Sequence, residues 1–169
     1  LMNLLLHGAA AISIASIARC FGVDRPRAIL GACLFAVHPM ASEAVNTISG
    51  RSNMMMVLGL LLAVRCHLAA MSGVRWAGLG TLICGAISMG CKEPGMILPV
   101  LLVILEFLRW VRSSRGAGFV PVRSAVLRVV PAVLLVVGYV CIRAHYLGAA
   151  SFAVNQWQGS GVDSGFTRG

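Results

Sequence analysis

The sequence predicts an all-α polytopic membrane protein, a bundle of about six transmembrane helices. Hydrophobic residues make up 59% of the 169 residues and charged residues 11%, whereas soluble domains have roughly 45–50% apolar and roughly 25% charged residues. The apolar runs are long enough for membrane-spanning helices and lack the alternating pattern of barrel strands. Helices satisfy their backbone hydrogen bonds internally, as a segment in lipid must. The bilayer is therefore the predicted solvent of this chain.

Transmembrane helices are predicted at 1–18, 28–39, 54–72, 76–91, 95–111 and 126–147. The second would cover only about 18 Å at about 1.5 Å per residue, so we expect it to continue into neighbouring residues or to lie in a protein-lined region. Pro39 marks its end or a kink. Residues 1–148 are the predicted transmembrane domain, and the polar residues 149–169 are an extracytoplasmic loop or the start of a further segment. We expect this chain to be a fragment of a longer protein, since hydrophobic residues begin at Leu1 without a signal-peptide pattern.

The formal net charge of +9 is explained by membrane topology, and no nucleic-acid partner is predicted, because the arginines lie in short loops between apolar runs. The first, third and fifth loops carry eight cations, namely Arg19, Arg25, Arg27, Arg75, Arg109, Arg112, Arg115 and Arg123. The opposite side carries Arg51, Lys92 and Arg168, each with an acidic residue not far away. The positive-inside rule therefore places the eight cations in the cytoplasm and the tail outside it.

Residues 38–53 form the most polar stretch of the first half and lie on the predicted extracytoplasmic side. A helix that begins after Pro39 would let Glu43 reach a hydroxyl, a metal or Arg51. Alternatively, His38 and Glu43 are ordinary interfacial residues, and Glu43 and Arg51 neutralise each other. Ionisable groups at membrane depth are costly and tend to mark function, which favours these residues as a group.

The turn Lys92-Glu93-Pro94-Gly95 is a second candidate on the same predicted face. Lys92 supplies a point charge for a phosphate, and proline suits the first turn of the following helix. The alternative is a solvated turn whose charges set helix register. Arg143, near the end of the last span, could bind an anion or anchor the helix at the interface.

Other polar residues in the spans are assigned packing roles. His7 and His67 are expected to be satisfied by neighbouring helices rather than to bind metal. Glu106 and Arg109 are three residues apart and are predicted to pair on one helix. The six cysteines are scattered without a paired motif, which favours packing over metal binding or disulfides.

Five short motifs carry a family resemblance. They are Asn3-Leu4-Leu5-Leu6-His7, Phe35-Ala36-Val37-His38-Pro39, Glu43-Ala44-Val45, Gly50-Arg51 and Lys92-Glu93. Together they resemble the transmembrane and tetratricopeptide-repeat-containing protein family, over most of residues 1–148. The stretch from His38 to Arg51 is the most specific part of the likeness.

The resemblance implies a membrane glycosyltransferase of the C-type fold. Such an enzyme would transfer a sugar, with mannose expected, from a polyprenyl-phosphate donor to hydroxyls of an acceptor protein. It would reside in the bacterial inner membrane or the endoplasmic reticulum and act on the periplasmic or lumenal face. The family's carboxylate base is expected in a loop that precedes Leu1, and its tetratricopeptide repeats are expected downstream of this fragment.

On this reading, His38 and Glu43 are the catalytic candidates, which would orient the acceptor or a divalent metal. The substrate-binding candidates are Arg51, Asn53, Lys92, Glu93 and Arg143, of which Arg51 and Lys92 would bind the lipid phosphate. The chain departs from the family at Asn53, where an acidic residue is usual, and an amide is neither a base nor a good cation ligand. Two other functions stay open: a transporter or flippase-like carrier, and a non-catalytic membrane subunit.

Overall fold

The computed structural model describes residues 1–39, 50–113 and 122–147. Within these ranges the chain is helical and contains no strand, so the all-α prediction is confirmed. The helices are α1 (Met2–Cys20), α2 (Arg25–Val37), α3 (Gly50–Met71), α4 (Ala77–Cys91), α5 (Leu98–Arg112) and α6 (Val122–Leu147). A 3-10 turn at Glu93–Ile97 joins α4 to α5. The chain divides into two units, residues 1–135 and 136–169, and the described part of the second is the end of α6.

Four helical segments in the described ranges are long and apolar enough to cross a membrane. These are Met2–Cys20, Gly50–Met71, Glu93–Arg112 and Val122–Tyr146. The other two helices are shorter: α4 is apolar over 15 residues, and α2 has 13 residues, or about 20 Å. Within the described ranges, the expectation of about six spanning helices is met in helix number, but α2 and α4 fall short of full spanning length. Large apolar side chains such as Leu5, Ile12 and Leu134 are exposed on the outer faces, as lipid-facing positions require.

Two glycines end helices and reverse the chain. Gly22 has φ +83° and Gly73 has φ +94°, a backbone conformation that glycine adopts without strain. At each site the glycine amide and the next amide bond back to carbonyls of the last helical turn, which is the Schellman arrangement. The carbonyl groups at the ends of α1 and α3 are therefore largely satisfied by backbone.

Helix α3 is the centre of the packing and contacts α1, α4 and α5. A Cβ added to Gly59 would lie 3.0 Å from the Cβ of Ser88 on α4, so the two helices approach closely, as small residues allow in membranes. The Ser88 hydroxyl, fully buried, donates a hydrogen bond of 2.9 Å to the carbonyl of Met56. One helical turn after Gly59, Ala63 of α3 belongs to the buried core, which also contains Leu98, Leu102 and Ala132.

One side-chain contact fixes the relative direction of α1 and α3. Arg65 Nε donates a hydrogen bond of 2.8 Å to Ser16 Oγ, and both residues lie toward the ends of their helices, so α1 and α3 run parallel. The starts of α1, α3 and α5 and the ends of α2 and α4 consequently meet at one end of the bundle, here called the Lys92 end. The opposite end, where α1, α3 and α5 finish, is called the Arg109 end.

Candidate functional site

Two of the predicted substrate-binding residues contact each other at the Lys92 end. The Lys92 ammonium donates a hydrogen bond to Asn53 Oδ1, although the residues are 39 positions apart. Asn53 lies near the start of α3, and Lys92 follows the last residue of α4 in an extended conformation with φ −162°. Topology alone predicted one face for both, and the structure adds a direct contact.

The turn after Lys92 is held tightly against α4. A Cβ added to Gly95 would lie 2.8 Å from the backbone nitrogen of Met89 and 2.8 Å from the carbonyl carbon of Ser88. The Gly95 amide bonds to the Lys92 carbonyl at 3.1 Å, and the Lys92 amide bonds to the Ser88 carbonyl at 3.1 Å. Backbone hydrogen bonds before and after Lys92 thus fix the position of its Cα atom. Only glycine fits at position 95.

The other predicted residues near this end are exposed. Arg51 lies two positions before Asn53 and has no ion-pair partner among the residues that the structure describes. Glu93 begins the 3-10 turn, and His38 directly follows α2. Glu43 lies outside the described residues, so the contact predicted between Glu43 and Arg51 is neither supported nor contradicted.

A buried histidine connects α1 to the end of α2, next to His38. His7 is 4% exposed, its Nε2 lies 3.1 Å from the carbonyl oxygen of Ala36, and its ring centroid lies 5.0 Å from that of Phe35. The prediction that His7 is satisfied by a neighbouring helix is confirmed for this nitrogen. His7 therefore holds the segment that carries His38 against the bundle.

Arg143 lies in the second unit, on the last turns of α6. Its Nη1 donates a hydrogen bond of 3.3 Å to the hydroxyl of Tyr139, one helical turn earlier. This contact is within a single helix, so it leaves the predicted choice between anion binding and interfacial anchoring open.

The bundle contains an ion-pair cluster that was not predicted from the sequence. Arg128 of α6 bonds Glu106 of α5 with two nitrogens, Nε at 2.7 Å from Oε1 and Nη2 at 3.3 Å from Oε2. His67 of α3 lies 3.2 Å from the same Oε1. The prediction that Glu106 pairs with Arg109 is wrong. Glu106 faces the point where α3, α5 and α6 meet, whereas Arg109 lines a cavity at the Arg109 end of the bundle. Arg128, near the start of the last apolar run, was the available signal, since a charge there needs a partner in the membrane.

In the described ranges no three His, Cys, Asp or Glu side chains come together as a metal-binding group. The six cysteines, all within those ranges, are free thiols on helices. The Lys92 end contains two cations: Lys92, which is held by the Asn53 amide, and Arg51, which is exposed in the first turn of α3. Such a set can bind an anion and stabilise negative charge that develops on it.

The apolar helices with lipid-facing exteriors define the class: this is an integral membrane protein. Comparison with known proteins points the same way. Over 110 residues, 63% of this chain, it is 24% identical to human Protein O-mannosyl-transferase TMTC3. Over 116 residues, 64% of the chain, it is 30% identical to Protein O-mannosyl-transferase Tmtc2 of Drosophila melanogaster.

The chain spans about 12% of the length of each of these curated relatives. No family model matches it, and no solved structure matches it. The similarity thus supports the family resemblance at a coarse level and leaves the C-type fold unconfirmed.

Proposed function

We propose that this chain is part of a membrane glycosyltransferase that moves a sugar, mannose, from a polyprenyl-phosphate donor to hydroxyls of an acceptor protein. The observation that carries the proposal is the Lys92–Asn53 contact, which holds one cation at the end of the bundle where α3, with Arg51 in its first turn, begins. The similarity to two O-mannosyl-transferases supports the class of reaction. The bilayer, the lipid-linked sugar and the acceptor protein are the proposed partners.

The two cations suit a polyprenyl-phosphate leaving group. As the sugar–phosphate bond breaks, negative charge develops on the phosphate, and fixed cations stabilise that charge more in the transition state than in the ground state. Arg51 offers a planar fork for two phosphate oxygens, and Lys92 offers a point charge. Arg51 would therefore set the orientation of the phosphate and Lys92 would add charge.

Asn53 gives Lys92 a partner without removing its charge. An amide oxygen orients the ammonium group, whereas a carboxylate at this position would form an ion pair and weaken the positive field. The resemblance leads one to expect an acidic residue at position 53, which would neutralise the ammonium group. With Asn53 in its place, Lys92 keeps its full positive charge while it is hydrogen-bonded. In the proposal, Asn53 positions Lys92.

His38 and Glu43 remain the proposed residues for orienting the acceptor hydroxyl, and Glu93 is a proposed donor contact. The substrate-binding role of Arg143 stays a prediction from the sequence. The possible divalent metal stays part of the proposal only through Glu43, which lies outside the described residues. Under the positive-inside rule the Lys92 end faces the periplasm or the lumen. The donor would then enter this end from the outer leaflet or the lumenal leaflet.

A lipid carrier is the second candidate, and one observation favours it. The Glu106–Arg128–His67 cluster lies within spanning helices, where ionisable residues often mark transport pathways. Against it, Arg128 and Glu106 bond each other at both oxygens, which leaves little carboxylate capacity for a cargo. The remaining possibility is a non-catalytic membrane subunit.

The test is sugar transfer by the full-length protein, supplied with radiolabelled mannosyl polyprenyl phosphate and a peptide rich in serine and threonine. We expect label in the peptide, and we expect Lys92→Ala to lower donor-dependent efficiency by about ten- to a hundred-fold, the loss of one hydrogen bond to a charged group. Arg75→Ala is the control, because Arg75 is an exposed arginine at the opposite end. Movement of labelled lipid between leaflets without transfer would indicate the carrier, and neither activity would indicate the subunit.

A further inference from the structure

The Arg109 end contains a cavity that the proposed transfer reaction does not use. Its volume is about 610 Å³, within the range of about 300–1,000 Å³ for small-molecule sites. Three arginines line it, Arg65, Arg109 and Arg112, together with apolar side chains that include Leu68 and Leu105. The ends of α1, α3 and α5 form its walls, at the opposite end of the bundle from Lys92.

The positive charge of this cavity has no acidic counterpart among the described residues that line it. Arg65 donates to a neutral hydroxyl, Ser16 Oγ. The guanidinium carbon of Arg112 lies 5.7 Å from the ring centroid of Phe21, also a neutral partner. The nearest acid along α5, Glu106, is already engaged by residues of two other helices.

Arg109 is the most informative of the three arginines. Its Nη1 is buried and has no hydrogen-bond acceptor among the residues that the structure describes. Leaving a buried charged donor without a partner is costly. A ligand that supplies an anionic oxygen at this point would remove that cost.

Helix ends could in principle explain arginines at this position, because the carbonyl end of a helix carries about half a negative charge. Three helix ends therefore offset only about half of the three guanidinium charges. In addition, the carbonyls at the ends of α1 and α3 already bond to the amides of the Gly22 and Gly73 turns. Capping thus leaves net positive charge in the cavity.

We propose that this cavity binds the phosphate headgroup of an anionic membrane lipid. The guanidinium forks match phosphate oxygens in geometry, and the leucine side chains offer apolar surface to the glycerol and upper acyl chain. The location fits as well, since the spans leave the membrane at this end, and anionic lipids are enriched in the cytoplasmic leaflet that the arginine distribution predicts here. A free phosphate would use the arginines but not the apolar wall.

The experiment measures binding of a fluorescent phosphatidylglycerol to the full-length protein in phosphatidylcholine nanodiscs. We expect the double variant Arg109→Gln/Arg112→Gln to weaken phosphatidylglycerol binding by about ten- to a hundred-fold. Arg19→Gln/Arg75→Gln is the matched control, because it removes two exposed arginines from the same end that do not line the cavity. This control should bind like the wild type. Arg109→Lys keeps the charge but loses the forked geometry, so its affinity for phosphatidylglycerol should lie between those of the wild type and the double variant. This single variant also tests the proposal if the double variant does not fold.

Two results would overturn the proposal. Equal losses in the control and the cavity variants would show a general charge attraction at this membrane face. Displacement of phosphatidylglycerol by inorganic phosphate, at concentrations that leave the ionic strength matched by chloride, would show a site for free phosphate. Sugar transfer measured on the same variants is expected to be unchanged. The proposal for this cavity and the proposal for the Lys92 end can therefore be contradicted independently.

Discussion

Breaking the buried ion pair between Glu106 and Arg128 should destabilise the bundle asymmetrically. The carboxylate side chain of Glu106 is 6% exposed, whereas the Arg128 side chain is 23% exposed. Removing one partner of a buried pair costs about 3–5 kcal/mol because the other charge is left unpaired. Arg128→Met leaves the more buried charge behind, with His67 still 3.2 Å from Glu106 Oε1, and should cost the larger amount, about 3–5 kcal/mol. Glu106→Gln leaves a guanidinium with partial access to solvent and should lie near or below about 3 kcal/mol.

The double variant Glu106→Gln/Arg128→Met removes both charges and should cost less than the sum of the single variants, with a coupling of about 0.5–3 kcal/mol. Unfolding of the purified protein by sodium dodecyl sulfate in mixed micelles measures these differences. Arg123→Met is the control, an exposed arginine on the same helix, and should change little. A cost below about 1 kcal/mol for Arg128→Met, or strict additivity in the double variant, would refute the reasoning.

Two further predictions concern the Lys92 end, and a third concerns the membrane topology. Gly95→Ala should lower sugar transfer and the unfolding midpoint together, since a Cβ would lie 2.8 Å from backbone atoms of α4; unchanged transfer would show that the turn does not position Lys92. Asn53→Asp should raise the donor KM in the transfer assay, because a carboxylate would pair with the Lys92 ammonium, and a higher kcat instead would assign position 53 to the chemistry. A reporter fused after Gly73 should be cytoplasmic and one after Gly159 extracytoplasmic, and the same side for both would remove the six-helix topology.

The helices could be predicted well because the apolar runs themselves determine them. The predicted 76–91 and 95–111 agree closely with α4 (Ala77–Cys91) and α5 (Leu98–Arg112). The predicted span 54–72 is confirmed as α3 (Gly50–Met71), but its start differs, since α3 is described from Gly50 and the apolar run begins near residue 54. The polar residues 50–53 continue the helix, and a hydropathy pattern does not detect a polar helical turn.

The candidate site could be predicted only as a set of residues on one face. Alternating loops place Asn53 and Lys92 on the same side, but their contact depends on how closely α3 and α4 pack at Gly59 and Ser88. That distance is a tertiary property, which loop order does not specify. The Arg128 partner of Glu106 was missed for the same reason, because a local spacing rule favoured a neighbour on the same helix.

The most direct test of the central claim, that Arg51 and Lys92 hold the lipid phosphate, is sugar transfer by Arg51→Ala, Glu43→Ala and the double variant of the full-length protein. If Arg51 binds phosphate, Arg51→Ala should lose about ten- to a hundred-fold in donor-dependent efficiency at an unchanged unfolding temperature. Removing Glu43 as well should restore nothing. Near wild-type transfer by the double variant would contradict the account, because it would show that Arg51 serves only to neutralise Glu43.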